Sequence, residues 1–200
     1  MCKNFSSLII VAMAFLAVAC GGTNNVEVDS YAKKVAHYAV AKDCNSLKLL
    51  GDTILSNGVG DAVVNQLKDT TDIISTATFA VAISPEQAAQ LIFDDIKQMS
   101  KEDKSQVRGR VRALLTWYKD LGLENNAKKF SESLDALALQ LDIEKQAECY
   151  VAVASSPSFL AAMVNKDAGE NKAELIKAIE KAYSDNQKEL TQFRNALKSN

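Results

Sequence analysis

The chain of 200 residues is predicted to fold as an all-α protein, an antiparallel bundle of about seven to eight helices. Along its long segments apolar residues recur three and four positions apart, which is the pattern of a helix with one buried face. With only 2 prolines and 8 glycines, these segments have few interruptions, whereas a sandwich of short strands would need many turns.

The first two helices are predicted at about 29–42 and 44–56. Asp43 can cap the second, and Gly58 follows its end, where the left-handed conformation commonly closes a helix. The residues predicted to face inward are Val28, Tyr31, Val35, Tyr38, Ala39, Leu47, Leu50, Ile54 and Leu55.

The segment 61–83 is predicted to be a buried helix, although its composition leaves an alternative open. Residues 72–84, DIISTATFAVAIS, are rich in β-branched side chains, which favour strands. A single strand would find no partner elsewhere in this chain, and this favours the helix.

The strongest helix-start signal lies at Ser84 and Pro85, which suit the cap and the first helical position. Gln87 completes a capping box with Ser84. The same spacing of apolar residues then predicts a helix to about 99, a stretch that stops at Gly122 and continues its pattern to about 141, short helices to about 154 and 163, and a last helix over about 171–198.

The N-terminal stretch LIIVAMAFLAVACGG, residues 8–22, is too short for a comfortable transmembrane helix, which needs about 20 apolar residues. Lys3 precedes it, and small residues close it just before Cys20. A basic start, an apolar middle and a small-residue end are typical of a secretory signal peptide.

The tetrapeptide Ala17-Val18-Ala19-Cys20 resembles the lipobox of bacterial lipoproteins, although Leu16 lies one position earlier than usual. The resemblance implies that Cys20 becomes the first mature residue and carries a diacylglycerol. Ala-Val-Ala also fits ordinary signal peptidase, which would cut the same bond and release a secreted protein. An uncleaved anchor or a buried helix is the third alternative.

The lipoprotein resemblance divides the chain into a cleaved signal peptide (1–19), a lipidated Cys20 with a flexible tether (20–28), and a helical domain (29–200). It implies that the protein is held in the bacterial cell envelope by lipid, in the outer membrane if the cell is Gram-negative. Lasting attachment to a bilayer needs more than one acyl chain, and a lipidated N-terminal cysteine provides this.

Cys44 and Cys149 remain as a pair that carries no lipid. In an oxidising compartment two such thiols can form a disulfide. The alternative is two separate buried thiols that pack as small apolar side chains.

The composition argues against a nucleic-acid partner. The chain has 23 basic and 25 acidic residues, so it lacks the excess of basic charge that binds phosphate backbones. The lipoprotein resemblance implies the membrane as one partner, through lipid on Cys20, and we expect a protein of the envelope as another.

No catalytic, cofactor-binding or metal-ligating residues are predicted. His37 is the only histidine and has no nucleophile motif beside it. Asp94 and Asp95 are adjacent on a predicted helix, so their side chains diverge by about 100° and form no joint site by themselves.

Lys104, Arg108 and Arg112 recur every four residues and share one face of a helix. We predict that this basic stripe is solvated, the alternative being contact with anionic lipid or an acidic partner. Gly109 in the same helix is expected to mark close packing by a neighbour.

Asp52-Thr53 and Asp69-Thr70 resemble a short acceptor motif for envelope O-glycosylation in some Gram-negative bacteria. Such a short pattern arises often by chance, and both sites fall in predicted helices.

The sequence thus predicts an envelope protein with a helical binding or scaffolding domain and no catalysis. The alternative is a helical enzyme whose site is built from scattered carboxylates and polar side chains. A closed pocket with converging carboxylates would favour the enzyme, and an open groove would favour binding.

Overall fold

The computed structural model describes residues 23–98, 104–167 and 171–199. In these residues the chain forms 11 helices and no strand, which confirms the all-α class. The predicted signal peptide and Cys20 lie outside the described residues. The helices are α1 (Thr23–Ala41), α2 (Cys44–Ser56), α3 (Gly60–Leu67), α4 (Asp72–Ala82), α5 (Pro85–Gln98), α6 (Lys104–Asp120), α7 (Glu124–Ala138), α8 (Ile143–Val153), α9 (Pro157–Asp167), α10 (Lys172–Ala182) and α11 (Gln187–Ser199).

The structure contains more helices than predicted, in part because turns divide two of the predicted segments. The segment 61–83 forms α3 and α4, since Thr71 between them has an extended backbone (φ −63°, ψ 150°). The last segment forms α10 and α11, where the side chain of Asn186 accepts a hydrogen bond from Glu189 N (3.2 Å) and caps α11. The apolar spacing continues across both turns and conceals them.

Helix α1 begins at Thr23 rather than near residue 29, so residues 23–28 are helical. Its N-terminal half is tied to α3, because Gln66 Nε2 donates to Asp29 Oδ1 (3.0 Å). Of the residues predicted to face inward in α1 and α2, only Leu55 is exposed, and the others are buried or half-buried.

Helix α4 is buried along most of its length, which excludes the strand alternative for this segment. Every residue from Ile74 to Ala82 is buried. The hydroxyls of Thr76 and Thr78 donate to the carbonyls of Asp72 and Ile74, so these polar side chains are satisfied within the helix itself.

Two glycines allow the chain to approach α4 closely. A Cβ atom added to Gly60 would lie 1.8 Å from the carbonyl oxygen of Ala82, and one added to Gly51 would lie 2.7 Å from Cβ of Val81. Any side chain at either position would therefore push α3 or α2 away from α4.

The helices pack mainly against the next helix but one along the chain. One row runs α2, α4, α6, α8 and α10, and α1 packs on α3, α5 on α7 and α9 on α11. Such a stacked array resembles the packing of helical repeats, although the helices range from 8 to 19 residues and the sequence has no fixed period.

The stack contains two apolar cores that share α8. Cys149 and Ala152 belong to the first core, which extends from α1 to α8. Ala147 and Val151 belong to the second, which extends from α8 to α11. Because α8 contributes a different face to each core, it is the structural junction between them.

The predicted disulfide between Cys44 and Cys149 is not supported, since both are free thiols. Cys44 begins α2, which packs on α1 and α4, whereas α8, which carries Cys149, packs on α6, α7 and α10. Cys149 is fully buried in the first core, and burial raises the pKa of its thiol to about 12. It therefore behaves as a small apolar side chain.

Candidate functional site

An open cleft of about 450 Å³ lies beside the junction of the two cores. Its walls come from α6, α7 and α11, from the end of α8 with the link to the first residue of α9, and from the residue that follows α10. The lining residues are Arg112, Leu115, Thr116, Ser131, Ala152, Val153, Ala154, Ser155, Ser156, Pro157, Tyr183 and Glu189. A cleft of this volume is within the range of ligand sites in proteins.

The link between α8 and α9 is shaped by local sequence signals. Pro157 occupies the first position of α9, and Ser156 Oγ caps this helix by accepting from Phe159 N (3.1 Å). Ala154 has an extended backbone, and its N–H donates to the Tyr150 carbonyl (3.0 Å). Among the described residues no donor reaches the carbonyls of residues 151–153, as is usual at a helix C-terminus.

Ion pairs cross from α6 to the C-terminal helices next to this cleft. Arg108 Nη2 lies 3.2 Å from Asp185 Oδ2, and Arg112 Nη2 lies 3.5 Å from Glu189 Oε2. The two arginines are four positions apart on α6, and the two acids are also four positions apart, with Asp185 in the turn before α11 and Glu189 in its first turn.

Arg108 also pairs with a buried acid of α8. Its Nε lies 3.1 Å from Glu148 Oε2, and the two side chains are only 11% and 4% exposed. We call Arg108, Arg112, Glu148, Asp185 and Glu189 the arginine clamp. The ion pairs of the clamp connect α6 of the first core to α8 and to the C-terminal segment of the second core, next to the cleft.

The ring of Tyr183 forms an apolar wall of the cleft, and its hydroxyl does not act as an acid at neutral pH. Burial, with a smaller contribution from Glu189, raises the pKa of its hydroxyl to about 12. Its ring packs against Phe193 at a centroid distance of 5.8 Å. At neutral pH the side chain is uncharged and fixed in the second core.

The expectation of a solvated basic stripe is wrong for Arg108, which lies inside the clamp, whereas Arg112 is half exposed at the cleft. The side chain of Lys104 lies outside the described residues. Asp185 and Glu189 were not singled out from the sequence. Their four-residue spacing matches that of the arginines, but the sequence does not show that the two segments meet.

The other candidate residues do not assemble into a site. His37 is exposed, with its ring 5.6 Å from that of Tyr38. Asp94 accepts from Gln90, while Asp95 pairs with Arg110, so the two carboxylates diverge as expected.

The two acceptor-like motifs have different environments. Thr53 is exposed on α2, whereas Thr70 lies in the turn after α3, where its hydroxyl donates to the Leu67 carbonyl. The expectation for Gly109 is wrong, because a Cβ atom there would meet nothing within 4 Å.

One acidic side chain of α7 is poorly solvated. Among the described residues, Asp135 Oδ1 is buried with no hydrogen-bond partner, and burial raises the pKa of this carboxyl to about 6. Burial raises the pKa of Cys149 and Tyr150 of α8, and the charge of Asp135 adds a smaller increase to both. Asp135 is therefore a titratable group at the contact between α7 and the junction helix.

Three further findings concern metal sites, membrane spans and similarity to known proteins. Within the described residues, no cluster of His, Cys, Asp and Glu is arranged to bind a metal ion. None of the helices in the described ranges has the length and apolar character of a membrane span. Comparison of the chain with protein-family models, curated proteins and solved structures finds no match.

Proposed function

We propose that this protein is a bacterial envelope lipoprotein whose helical domain binds a partner in the cleft beside α8. The observation that carries the proposal is the cleft itself, which is open, lies where two apolar cores meet, and mixes apolar walls with hydroxyl groups and one arginine. Sites that recognise ligands commonly combine these features.

Binding is favoured over catalysis by the charges in the cleft. Glu189 is its one carboxylate, and it is paired with Arg112. General acid–base chemistry on two carboxylates needs a second acid at a defined separation across the site. The lining of this cleft has no such pair.

The proposed anchor would hold the domain close to the bilayer. The lipid is placed on Cys20 by the lipobox-like sequence, and α1 begins at Thr23. Even a fully extended link of three residues reaches only about 10 Å. We therefore propose that the start of α1 lies next to the bilayer and that the cleft faces partners within the envelope.

Two measurements test the proposal. Replacing Cys20 by serine is expected to move the protein from the membrane fraction to the soluble envelope fraction. A mutant that still fractionates with membranes at the wild-type level would show that lipid on Cys20 is not the anchor.

The cleft is tested with a photo-crosslinking amino acid at Ser155, which is exposed there, and at Lys34, exposed on α1, as the control. In intact envelopes we expect a discrete adduct from position 155 that position 34 does not give. Identical adducts from both positions, or none from 155, would contradict binding in the cleft.

A further inference from the structure

We propose that the cleft takes an extended peptide segment with an acidic side chain, whose carboxylate is bound by Arg112. Without a ligand, Glu189 pairs with the same guanidinium, so it would compete with the peptide carboxylate for Arg112. This inference rests on the proposed function, because it names the class of partner for the same cleft.

Arg112 is suited to bind a carboxylate because its pairing is incomplete. Its side chain is 49% exposed and lies 3.5 Å from a single carboxylate, that of Glu189. A guanidinium has five N–H donors and binds carboxylates best through two parallel hydrogen bonds. Most of these donors therefore remain for a ligand in the cleft.

Arg108, one helical turn away, shows the contrast. It is 11% exposed and lies against two carboxylates, those of Glu148 and Asp185. Its charge is matched within the protein, so it holds the clamp together. Arg112 is therefore the arginine of the clamp that remains available to a ligand in the cleft.

The remainder of the cleft offers partners for a peptide backbone. Ala152 and Val153 at the end of α8 line the cleft, and their carbonyls have no donor among the described residues, so they can accept from peptide N–H groups. The hydroxyls of Ser131 and Ser155 line the same cleft and can donate to peptide carbonyls. Leu115 and Pro157 provide apolar contact for neighbouring side chains.

Glu189 is placed to compete with such a peptide. Its backbone N–H donates to the Asn186 side chain (3.2 Å), and its side chain is 24% exposed at the cleft. An incoming carboxylate would take over the guanidinium and release Glu189 toward water. Removing the charge of Glu189 should therefore strengthen binding.

The test uses the protein purified from envelopes in mild detergent and two mixtures of fluorescein-labelled, C-terminally amidated pentapeptides. Glutamate is fixed at the centre of one mixture and glutamine at the centre of the other, so the two differ by one charge. Binding is followed by fluorescence anisotropy. We expect the glutamate mixture to bind at least about tenfold more tightly, as for loss of a charge-assisted bidentate contact.

Variants assign the effect to the two residues. Arg112→Gln should abolish the preference for glutamate, and Glu189→Gln should tighten binding severalfold. Arg194→Gln, which breaks an exposed ion pair with Glu180 (2.7 Å), is the control and should change neither. Equal binding of both mixtures, binding of neither, or a preference that survives Arg112→Gln would overturn the inference.

These outcomes are separate from those of the cleft proposal. An adduct at position 155 together with no glutamate preference would retain the cleft as a binding site and reject the acidic peptide. A preference for peptides with a free C-terminus, tested with a third mixture that is not amidated, would replace the acidic side chain by a chain end.

Discussion

Arg108 Nε and Glu148 Oε2 lie 3.1 Å apart, and both side chains are almost completely shielded from water. The pair connects α6 of the first core to α8, which also serves the second core. A buried ion pair adds little stability compared with apolar packing, but removing one partner leaves a buried charge alone. The pair is therefore a sensitive probe of how the two cores are joined.

Arg108→Met is expected to destabilise the fold by up to about 3–5 kcal/mol, because the buried Glu148 side chain would lose the guanidinium that lies 3.1 Å from it. Urea unfolding measures the change. The double variant Arg108→Met, Glu148→Leu should recover most of the loss, since neither side chain is then charged. Lys33→Met, which breaks an exposed ion pair with Asp29, is the control and should change stability by less than about 1 kcal/mol. A single variant as stable as the wild type would contradict the burial of this pair.

Gly60→Ala should destabilise the protein by about 3 kcal/mol or more. The added methyl would lie 1.8 Å from the Ala82 carbonyl, which belongs to the backbone and cannot rotate away. Thermal unfolding followed by circular dichroism measures the loss. Wild-type stability in this variant would show that α3 and α4 are not in such close contact.

Gly109→Ala is the matched substitution in an open position, and the opposite sign is expected. A Cβ atom there meets nothing within 4 Å, so only the backbone effect remains. Alanine within a helix is more favourable than glycine by about 0.5–1 kcal/mol, and the melting temperature should rise accordingly. A loss of stability would indicate a neighbour at this face of α6.

Local signals in the sequence predicted the starts of α2 and α5 but missed those of α1 and α4, and they predicted tertiary contacts poorly. The capping box is confirmed, since Ser84 N donates to Gln87 Oε1 and Gln87 N donates to Ser84 Oγ, each at 3.1 Å. The cap at Asp43 is also confirmed, because its side chain accepts from Ser46 N. Such contacts span three residues, so the amino-acid pattern contains them completely.

The arginine clamp could not be predicted from the sequence, because its contacts join residues that are far apart along the chain. Arg108 and Asp185 are 77 positions apart, and only the stacking of α6, α8 and α10 brings them together. A stripe of basic residues on one helix face predicts a solvated surface. The spacing of these residues does not show which other segment of the chain packs against that face. The cleft follows from the same stacking, so it too could not be predicted.

The stability of the protein should depend on pH through Asp135. Burial raises the pKa of this carboxyl from 3.8 to about 6, so its protonated form is favoured in the folded state. Its contribution to stability is then fully present below about pH 4 and is lost as pH rises through about 6. The variant Asp135→Asn should therefore gain stability relative to the wild type as the pH is raised from 4 to 7.5. The expected gain is roughly 1–3 kcal/mol.

Urea unfolding of the wild type and Asp135→Asn at several pH values measures this difference. Glu132→Gln, at an exposed site on the same helix as Asp135, is the control and should change stability by less than about 1 kcal/mol across this range. A stability difference between the wild type and Asp135→Asn that does not change with pH would contradict the burial of this carboxyl.

Thiol reactivity distinguishes the free cysteines of the structure from the disulfide that the cysteine count suggested. Cys44 is half-buried at the start of α2 and should react with iodoacetamide in the folded protein. Cys149 is fully buried and its thiol has a pKa raised to about 12, so it should react only when the protein unfolds. Quantifying each alkylated peptide by mass spectrometry, with and without urea, separates the two residues from any other cysteine. If both thiols resist alkylation in urea until a reductant is added, they are bonded to each other and α2 and α8 must approach more closely than the stacked fold allows.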